Sequence, residues 1–273
     1  MKTFHFLSGL PRSGSTVLAA ILNQNPEVYV TPTSPMLDLL VHNQDVWYKT
    51  PSVMANPISE QLTNVTRAMI DSMWEHRSES IIIDKNRGWG KNMPASTILF
   101  EKEIKVIATV RDLPSIMASW LTILHNNPNS YMDEKLRKYG VPVNDWWRMG
   151  EMWMNMVKDC MDAVQILKKD AANRLLLINY DDLINNPQDI ISKVEQFLDL
   201  PRYTYDFNNI KSNFIQYLQS QTVLKDYDYT GSALSTLLDV LAYNTQYNAF
   251  YLNMVANEMF LDTALQRSSV VSH

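Results

Sequence analysis

The chain has 273 residues, a formal net charge of −5 and a hydrophobic content of 46%. This content is enough for a sizeable core, and the length allows one large domain or one domain with an appendage. The negative charge argues against a general nucleic-acid-binding surface, and no apolar run approaches the about 18 residues of a membrane-spanning helix.

The first predicted element is the segment 4–16, in which an apolar run with strand character turns at Gly9 and leads into a helical pattern. A strand, a tight turn and a helix N-terminus form a site for phosphate, because backbone N–H groups and the helix dipole favour an anion there. Gly14 allows close approach of the backbone, Ser15 and Thr16 add hydroxyl groups, and Arg12 supplies a planar cation. The alternative interpretation is a serine-rich turn before a surface helix.

This loop differs from the loop of nucleotide triphosphatases. That motif, G-x-x-x-x-G-K-[ST], requires a Lys before the Ser or Thr, and none stands there in this chain. A P-loop kinase, which would also depend on magnesium, is therefore disfavoured.

The segment 105–120 carries a second predicted anion site. Residues 105–110 are typical of a buried strand, and Asp112 and Pro114 are suited to the start of a helix. Arg111 at the strand end and Ser119 on the following helix are placed to hold a second phosphate. The corresponding strand of a nucleotide triphosphatase usually ends in an Asp for magnesium. Two anion sites without that carboxylate indicate a nucleotide that carries phosphates at two places.

The alternation of strands and helices predicts an α/β fold: a P-loop-like three-layer αβα arrangement with a parallel sheet, followed by a C-terminal helical segment. Helices are predicted at 57–77 and 145–169, and Cys160 in the second of these reads as a buried apolar group. Ligands of such sheets bind beyond the carboxyl ends of the strands.

These motifs together resemble the sulfotransferases that use 3′-phosphoadenylyl sulfate (PAPS). In that family the first loop, here residues 11–16, holds the 5′-phosphosulfate, and an Arg and a Ser eight residues apart, here Arg111 and Ser119, hold the 3′-phosphate. The loop arginine is most similar to the tyrosylprotein-type and related bacterial members. Residues 81–85 resemble the core strand that ends in a Lys, and residues 175–183 resemble the strand that ends in a Tyr on the 3′-phosphate side. Order and spacing agree over residues 1 to about 210.

The resemblance implies sulfuryl transfer from PAPS to a hydroxyl or amine, with no metal required. The implied donor-binding residues are Arg12, Ser13, Gly14, Ser15, Thr16, Lys85, Arg111, Ser119 and Tyr180. Arg12 and Lys85 would also stabilise charge on the leaving oxygen, and Lys85 can in principle act as an acid.

The general base is not evident from the sequence. Arg-type relatives place a Glu about twenty residues after the loop arginine, where this chain has no carboxylate. Asp38, His42 and Asp84 are the remaining candidates. Asp38 and His42 can equally be a solvated i, i+4 pair on a helix that begins near Pro35, and Asp84 can be a turn residue after its strand.

The last quarter of the chain departs from the sulfotransferase pattern, since the basic segment that closes over the cofactor is replaced. Residues from about 208 to 273, including the segments 226–232, 237–245 and 257–264, resemble the N-terminal region of a baseplate wedge protein of contractile-tailed bacteriophages. We therefore predict a sulfotransferase-like domain over 1–210 and a helical tail over 211–273. The tail implies self-association or virion partners, and exposed apolar helices favour the former.

Two functional classes remain open from the sequence: an active sulfotransferase with a docking tail, and a catalytically impaired nucleotide-binding or phage structural protein. Small molecules, carbohydrates and peptides are all possible acceptors, with specificity expected in loops at 32–57 and 126–142. A single cysteine and the absence of a signal-peptide pattern predict a cytoplasmic location, that of the host cell if the chain is phage-encoded.

Overall fold

The computed structural model describes residues 2–92, 104–127, 130–208 and 210. These residues belong to two compact units. The first unit contains the described residues up to Arg111 and from Val157 onward, and the second contains those between Asp112 and Met156. The predicted helical tail, 211–273, and its boundary lie outside the described residues and stay predictions.

The first unit is built on a parallel sheet of five strands in the order β2-β3-β1-β4-β5. The strands are β1 (Thr3–Gly9), β2 (Val28–Val30), β3 (Ile81–Lys85), β4 (Val106–Val110) and β5 (Leu175–Asn179). Four of them fall where the apolar runs of the sequence predict strands. The edge strand β2 was not predicted, because three residues are too few to show a period.

Helices of the first unit are interspersed with these strands. They are α1 (Ser15–Leu22), α2 (Met36–Lys49), α3 (Pro51–Ala55), α4 (Ser59–Trp74), α8 (Lys158–Asp170), α9 (Tyr180–Asn185) and α10 (Pro187–Leu198), with a further helical turn at 89–92 and a 3₁₀ turn at Ala172–Arg174. The segment 32–57, expected as a loop, is thus largely helical.

Helices cover both faces of the sheet. On one face, Leu18 and Ile21 of α1 and Val194 of α10 join Leu7 of β1 in a single buried cluster. On the other face α8 packs against β1, and Phe6 stacks on Trp89 with ring centroids 3.7 Å apart. The prediction of a three-layer α/β arrangement with a parallel sheet is therefore confirmed.

The second unit consists of helices α5 (Leu113–His125), α6 (Tyr131–Lys138) and α7 (Asp145–Met152), followed by a π-helical segment, Trp153–Val157, that leads back into the first unit. A buried ion pair ties α6 to α7: Arg148 Nε and Nη2 donate to the two carboxylate oxygens of Asp133 at 2.9 and 2.7 Å. The predicted helix over 145–169 is present with this π-helical interruption. Cys160 is buried, as predicted.

No helix among the described residues is long and apolar enough to cross a membrane.

Candidate donor-binding site

The loop between β1 and α1 has the backbone conformation of an anion site. Gly9, Arg12 and Gly14 all have positive φ, at 123°, 59° and 89°. Gly14 precedes the first residue of α1, and no side chain caps that helix. The first N–H groups of α1 therefore remain for an anion, as they do in other phosphate sites at helix N-termini. Arg12 is a non-glycine residue in the left-handed region, a conformation that costs about 1–2 kcal/mol and concentrates at functional sites.

Ser13 fixes the shape of the loop. Its side chain is fully buried, and its Oγ lies 2.5 Å from Leu10 O, 3.0 Å from Thr109 O and 2.6 Å from Thr109 Oγ1. The Ser13 hydroxyl is therefore fully engaged in hydrogen bonds within the protein. It is not available to an anion, which leaves the backbone N–H of Ser13 as the donor. The sequence predicts Ser13 as a donor-binding residue but does not distinguish its side chain from its backbone.

Gly9 allows β1 to approach β4 beside this loop. A Cβ atom at Gly9 would lie 2.3 Å from Thr109 O, and Leu10 N donates to the same carbonyl at 2.8 Å. Thr109 thus packs closely against Gly9 and is hydrogen-bonded to Ser13. Thr109 was not predicted as a site residue, because a hydroxyl residue within an apolar strand is a weak signal when Thr is common in strands for other reasons.

Lys85 stands at the carboxyl end of β3 and faces the start of α1. Its Nζ donates to Thr16 Oγ1 at 3.3 Å, and its backbone N donates to Thr31 Oγ1 at 2.7 Å. Burial, followed by the nearby positive charge of Arg87, lowers the pKa of Lys85 to about 8. Thr31 was not predicted as a site residue, since it follows the short strand β2.

Arg111 and Tyr180 form the second cationic part of the site. The guanidinium carbon of Arg111 lies 4.1 Å from the centroid of the Tyr180 ring, and Arg111 Nη1 donates to Arg12 O at 3.3 Å. The Tyr180 ring also packs on the phosphate loop, because a Cβ at Gly14 would lie 2.8 Å from Tyr180 Cδ2. The structure thus brings together Arg12, Gly14, Arg111 and Tyr180, which are far apart in the sequence.

Several positive charges lie close together in this region and repel one another. Burial lowers the pKa of Arg12, and the positive charges of Arg111 and Arg87 lower it further. Arg111 Nε is buried and has no hydrogen-bond partner among the described residues. A buried guanidinium donor without a partner costs about 1–3 kcal/mol, and a ligand that accepts its hydrogen bond would remove this cost.

Ser119 lies half-buried on α5 in the second unit, two turns into the helix. That helix begins as predicted, with the Asp112 side chain accepting a hydrogen bond from Ser115 N at 2.8 Å and with Pro114 in the first turn. The pairing of Ser119 with Arg111 on one phosphate stays a prediction.

Asp84 is not a turn residue, because it lies within β3 and is fully buried. Its Oδ1 accepts a hydrogen bond from Trp89 Nε1 at 2.8 Å. Burial raises its pKa to about 6, against the opposing effect of hydrogen bonds with Ser34 and Trp89. A carboxyl group without solvent exposure cannot accept a proton from an entering acceptor in this conformation.

Asp38 and His42 are both exposed on α2, four residues apart. Asp38 lies beside the site, since its Oδ2 accepts a hydrogen bond from the side-chain amide of Asn86 at 3.3 Å, and Asn86 follows Lys85 directly. Asn86 also donates from its backbone N to Leu7 O at 3.1 Å. Of the three candidate bases, Asp38 is therefore tied to the residue next to Lys85, and His42 stands one turn further along the helix.

No group of three or more His, Cys, Asp and Glu side chains within the described part of the chain could hold a metal ion.

Comparisons with known proteins divide the chain into two parts. Residues 6–205 match the family model described as "Sulfotransferase family", and residues 206–273 match the one described as "Baseplate wedge protein gp6-like, helical domain". The second match begins at the residue after the first one ends.

Two curated relatives represent these parts. The baseplate wedge protein gp6 of Enterobacteria phage T4 is 48% identical over 65 residues, which are 24% of this chain and 10% of that protein. Protein-tyrosine sulfotransferase A of Caenorhabditis elegans is 23% identical over 202 residues, which are 72% of this chain and 50% of that protein. The chain therefore spans about a tenth of the length of the phage protein and about half of the length of the C. elegans sulfotransferase.

Among solved structures, the sulfotransferase domain from the curacin biosynthetic pathway superposes with a TM-score of 0.50 at 14% identity, over 88% of this chain and 98% of that domain. This likeness concerns the fold. The family match over residues 6–205 covers well over half of the sequence, and the chain belongs to the sulfotransferase family.

Proposed function

We propose that this protein transfers a sulfuryl group from PAPS to a hydroxyl or amine of an acceptor. The observation that carries the proposal is the pair of cationic positions at one edge of the sheet. The first is the left-handed loop with Arg12 and Lys85, and the second is Arg111 with its buried, unpartnered Nε. A nucleotide with phosphate groups on its 5′ and 3′ sides satisfies both.

The residues present fit this donor. The backbone of residues 13–16 together with Arg12 and Lys85 would hold the 5′-phosphosulfate, and Arg111, Ser119 and Tyr180 would hold the 3′-phosphate side. Bound PAPS would supply an electrophilic sulfur and a phosphate leaving group. The protein then contributes position and charge, which dominate catalysis of such transfers.

Lys85 is the residue that acts on the leaving oxygen. With a pKa of about 8 it is mostly protonated near pH 7, so it can donate a hydrogen bond, or its proton, as negative charge develops there. Arg12 keeps its proton under all working conditions and stabilises the same charge electrostatically.

The acceptor must lose a proton as its oxygen or nitrogen bonds to sulfur. Asp38 fits this role best, because it is exposed and accepts a hydrogen bond from Asn86, the residue after Lys85. His42 is the second choice, at one helical turn from Asp38.

Residues 206–273 favour an additional role in assembly. Their similarity to a helical domain of a baseplate protein supports attachment to virion partners or self-association, with the sulfotransferase unit as cargo. The alternative function is that of a phage structural protein whose sulfotransferase-like part, residues 6–205, binds the nucleotide but catalyses transfer poorly. A location in the cytoplasm of an infected host cell is the compatible proposal.

Calorimetric titration with 3′-phosphoadenosine 5′-phosphate (PAP), without added metal, tests the donor site. We expect binding by the full chain and a loss of about 10–100-fold in Arg111→Ala, the range for a charge-assisted contact. Arg202→Ala, which removes an exposed arginine of the same unit, is the matched control and should bind normally. A folded protein without affinity for PAP would contradict the proposal.

Sulfuryl transfer is tested separately, with labelled PAPS and a panel of hydroxyl and amine acceptors. Transfer by the wild type that is lost in Lys85→Met supports the hypothesis of an active sulfotransferase. PAP binding without transfer to any acceptor in the panel supports the hypothesis of a catalytically impaired protein with a role in assembly.

A further inference from the structure

The boundary between the two family matches is not a boundary in the structure. The sulfotransferase match ends at residue 205, and the baseplate wedge match begins at Asp206. Tyr205 is 7% exposed and belongs to the buried cluster of the first unit that involves the sheet and helices α1 and α10. Phe207 and Ile210, which lie beyond the boundary, pack against the same cluster. The start of the wedge-like segment, as we call residues 206–273, therefore contributes apolar side chains to the core of the first unit.

Two side-chain amides that follow α1 bind the backbone of this stretch. Gln24 Nε2 donates to Asp206 O at 2.9 Å, and Asp206 N donates to Gln24 Oε1 at 2.8 Å. One amide thus satisfies both backbone groups of the first residue of the wedge-like segment, as a neighbouring strand would. Asn25 Nδ2 donates to Pro201 O at 3.0 Å. These contacts hold the junction, as we call residues 201–210, on the first unit.

The burial of alternate side chains continues across the boundary between the matches. Tyr205 is buried and Phe207 half-buried, whereas Asp206 and Asn208 are exposed. Successive side chains of an extended chain point to opposite sides, so one side of the junction faces the core and the other faces solvent. The ring centroids of Tyr205 and Phe207 lie 6.3 Å apart. Residues on both sides of the boundary are therefore fitted to one surface, which is not expected of an unrelated segment joined by chance.

The junction lies at the edge of the sheet where the strands begin. Gln24 is four residues before Val28, the first residue of β2. Glu27 O accepts a hydrogen bond at 3.1 Å from Ile81 N, at the start of β3. The other end of α1 is the phosphate loop with Gly14, and the eight residues of α1 rise about 12 Å between the two ends. The wedge-like segment therefore begins at the edge opposite to the proposed donor site.

We propose that the junction attaches the wedge-like segment to the first unit at the edge opposite to the donor site, so that an assembly partner of this segment leaves the donor site open. Phe207 and Ile210 make the attachment part of the folded core. The partner then holds the unit from the edge where the strands begin, and PAPS and acceptor enter at the other edge. The inference rests on the proposed function for the role of residues 206–273 in assembly, but the junction itself requires neither donor nor partner.

Hydrogen exchange of the full chain without nucleotide, measured by mass spectrometry, tests the contact between Gln24 and Asp206. The Asp206 amide should exchange at least about tenfold more slowly in the wild type than in Gln24→Ala, because the substitution removes its acceptor. Gln24→Ala should also lower the melting temperature by about 2–5 °C. Gln196→Ala, which changes an exposed glutamine of α10, should alter neither. Equal exchange at Asp206 in the wild type and in Gln24→Ala would overturn the proposal.

Substitution beyond the boundary tests whether the wedge-like segment is part of the core. Phe207→Ser should lower the melting temperature of the full chain by about 3–6 °C, and Phe207→Leu, which keeps an apolar side chain, should lower it less. Ile184→Ser is the matched control, since Ile184 is 47% exposed, and it should change the melting temperature by less than about 2 °C. Equal stability of Phe207→Ser and the wild type would place residue 207 outside the core and reject the proposal.

A bulky load tests the direction of attachment. Biotin is coupled to the thiol of Arg202→Cys in the junction or of Arg87→Cys, two residues after Lys85, and streptavidin is added; the chain's own Cys160 is buried. Compared with the same biotinylated variant alone, streptavidin at position 202 should leave PAP affinity within about twofold, and streptavidin at position 87 should lower it at least about tenfold. Equal losses at the two positions would contradict the proposed direction.

PAP binding by the unlabelled protein separates this proposal from the donor site. If PAP does not bind, the donor site is rejected, and the exchange at Asp206 and the stability of Phe207→Ser still decide whether the junction exists. PAP binding together with rapid exchange at Asp206 rejects the junction alone.

Discussion

At the edge of the sheet where the strands begin, basic side chains are matched by acidic groups or backbone carbonyls. Lys105 pairs with Asp199, Arg77 pairs with Glu79, and Lys2 donates to two backbone carbonyls at 2.7 Å. At the edge where the strands end, Arg12 has Arg111 and Arg87 as its strongest charged neighbours, and Lys85 has Arg87.

The difference separates charges that serve stability from charges that serve binding. Pairing lowers the pKa of Asp199 through its hydrogen bond with Lys105, whereas crowding and burial lower the pKa values of Lys85 and Arg12. Positive charges that lie close together destabilise the folded state. A bound anion offsets their repulsion, so such a cluster is typical of an anion-binding site.

Substitution of a lysine at each edge gives the largest expected contrast. Lys85→Met should lower the rate of sulfuryl transfer about 10²–10³-fold, since one charge-stabilising donor is lost. In the wild type, activity should decline above the pKa of about 8, where Lys85 loses its proton. Initial rates between pH 6 and 9 measure both effects.

Lys105→Met is the control for that experiment. It removes a partner of Asp199 at the other edge and should leave the rate unchanged. If both variants lost activity equally, the division between the two edges would be wrong.

Two buried titratable groups on neighbouring strands, His5 of β1 and Asp84 of β3, should have opposite effects on the pH dependence of stability. Burial lowers the pKa of His5 from 6.5 to about 4, so the unfolded chain holds the extra proton between these values. Stability is therefore lost as the pH falls from 6.5 to 4, by about 3 kcal/mol at most. Burial raises the pKa of Asp84 from 3.8 to about 6, so its contribution is lost as the pH rises through that range.

These opposite slopes can be separated by substitution. Asp84→Asn should raise stability at pH 7.5 more than at pH 4, and His5→Leu should raise it at pH 4.5 more than at pH 7.5. Urea denaturation at the three pH values, compared with the wild type, measures the differences. An identical change in stability at each pH would show that neither group titrates as described.

Gly14→Ala tests the contact between the phosphate loop and Tyr180. The new Cβ would lie 2.8 Å from Tyr180 Cδ2 on a backbone with φ of 89°, so the ring must move away from its place over Arg111. We expect PAP affinity to fall about tenfold, a share of the 1–3 kcal/mol typical of such strain. Gly140→Ala has a similar φ, 69°, with nothing within 4 Å of the new atom, and should lose stability without losing PAP affinity.

The smallest effect is expected for Asp199→Asn. Its partner Lys105 is partly exposed and Asp199 itself is 77% exposed, so solvent screens the pair. The melting temperature should change by no more than about 2 °C, and PAP binding not at all. A large loss of PAP affinity would mean that the two edges are coupled.

Much of this arrangement could be predicted from local sequence. The strands at 81–85, 106–110 and 175–179 are short β-branched or leucine-rich runs, and the turn at Gly9 to Gly14 has the residues that left-handed backbone requires. Arg111 and Tyr180 could be placed at one edge of a parallel sheet because each directly follows a strand.

The remainder depends on tertiary packing. Nothing local distinguishes Ser13, whose hydroxyl is buried against Thr109, from Ser15, and nothing local turns Asp84 inward to Trp89. The three-residue strand β2 is stabilised by pairing with β3, and with it Thr31 reaches Lys85. The contacts of Ser13 with Thr109 and of Thr31 with Lys85 join residues more than fifty positions apart, which a local periodicity cannot reveal.

The central claim is that Arg111 recognises a second phosphate. It is tested most directly by titrating wild type and Arg111→Ala with PAP and with adenosine 5′-phosphate, which lacks the 3′-phosphate. The account predicts that the substitution lowers PAP affinity at least about tenfold and changes adenosine 5′-phosphate affinity less than about twofold. Equal losses for the two nucleotides would contradict it.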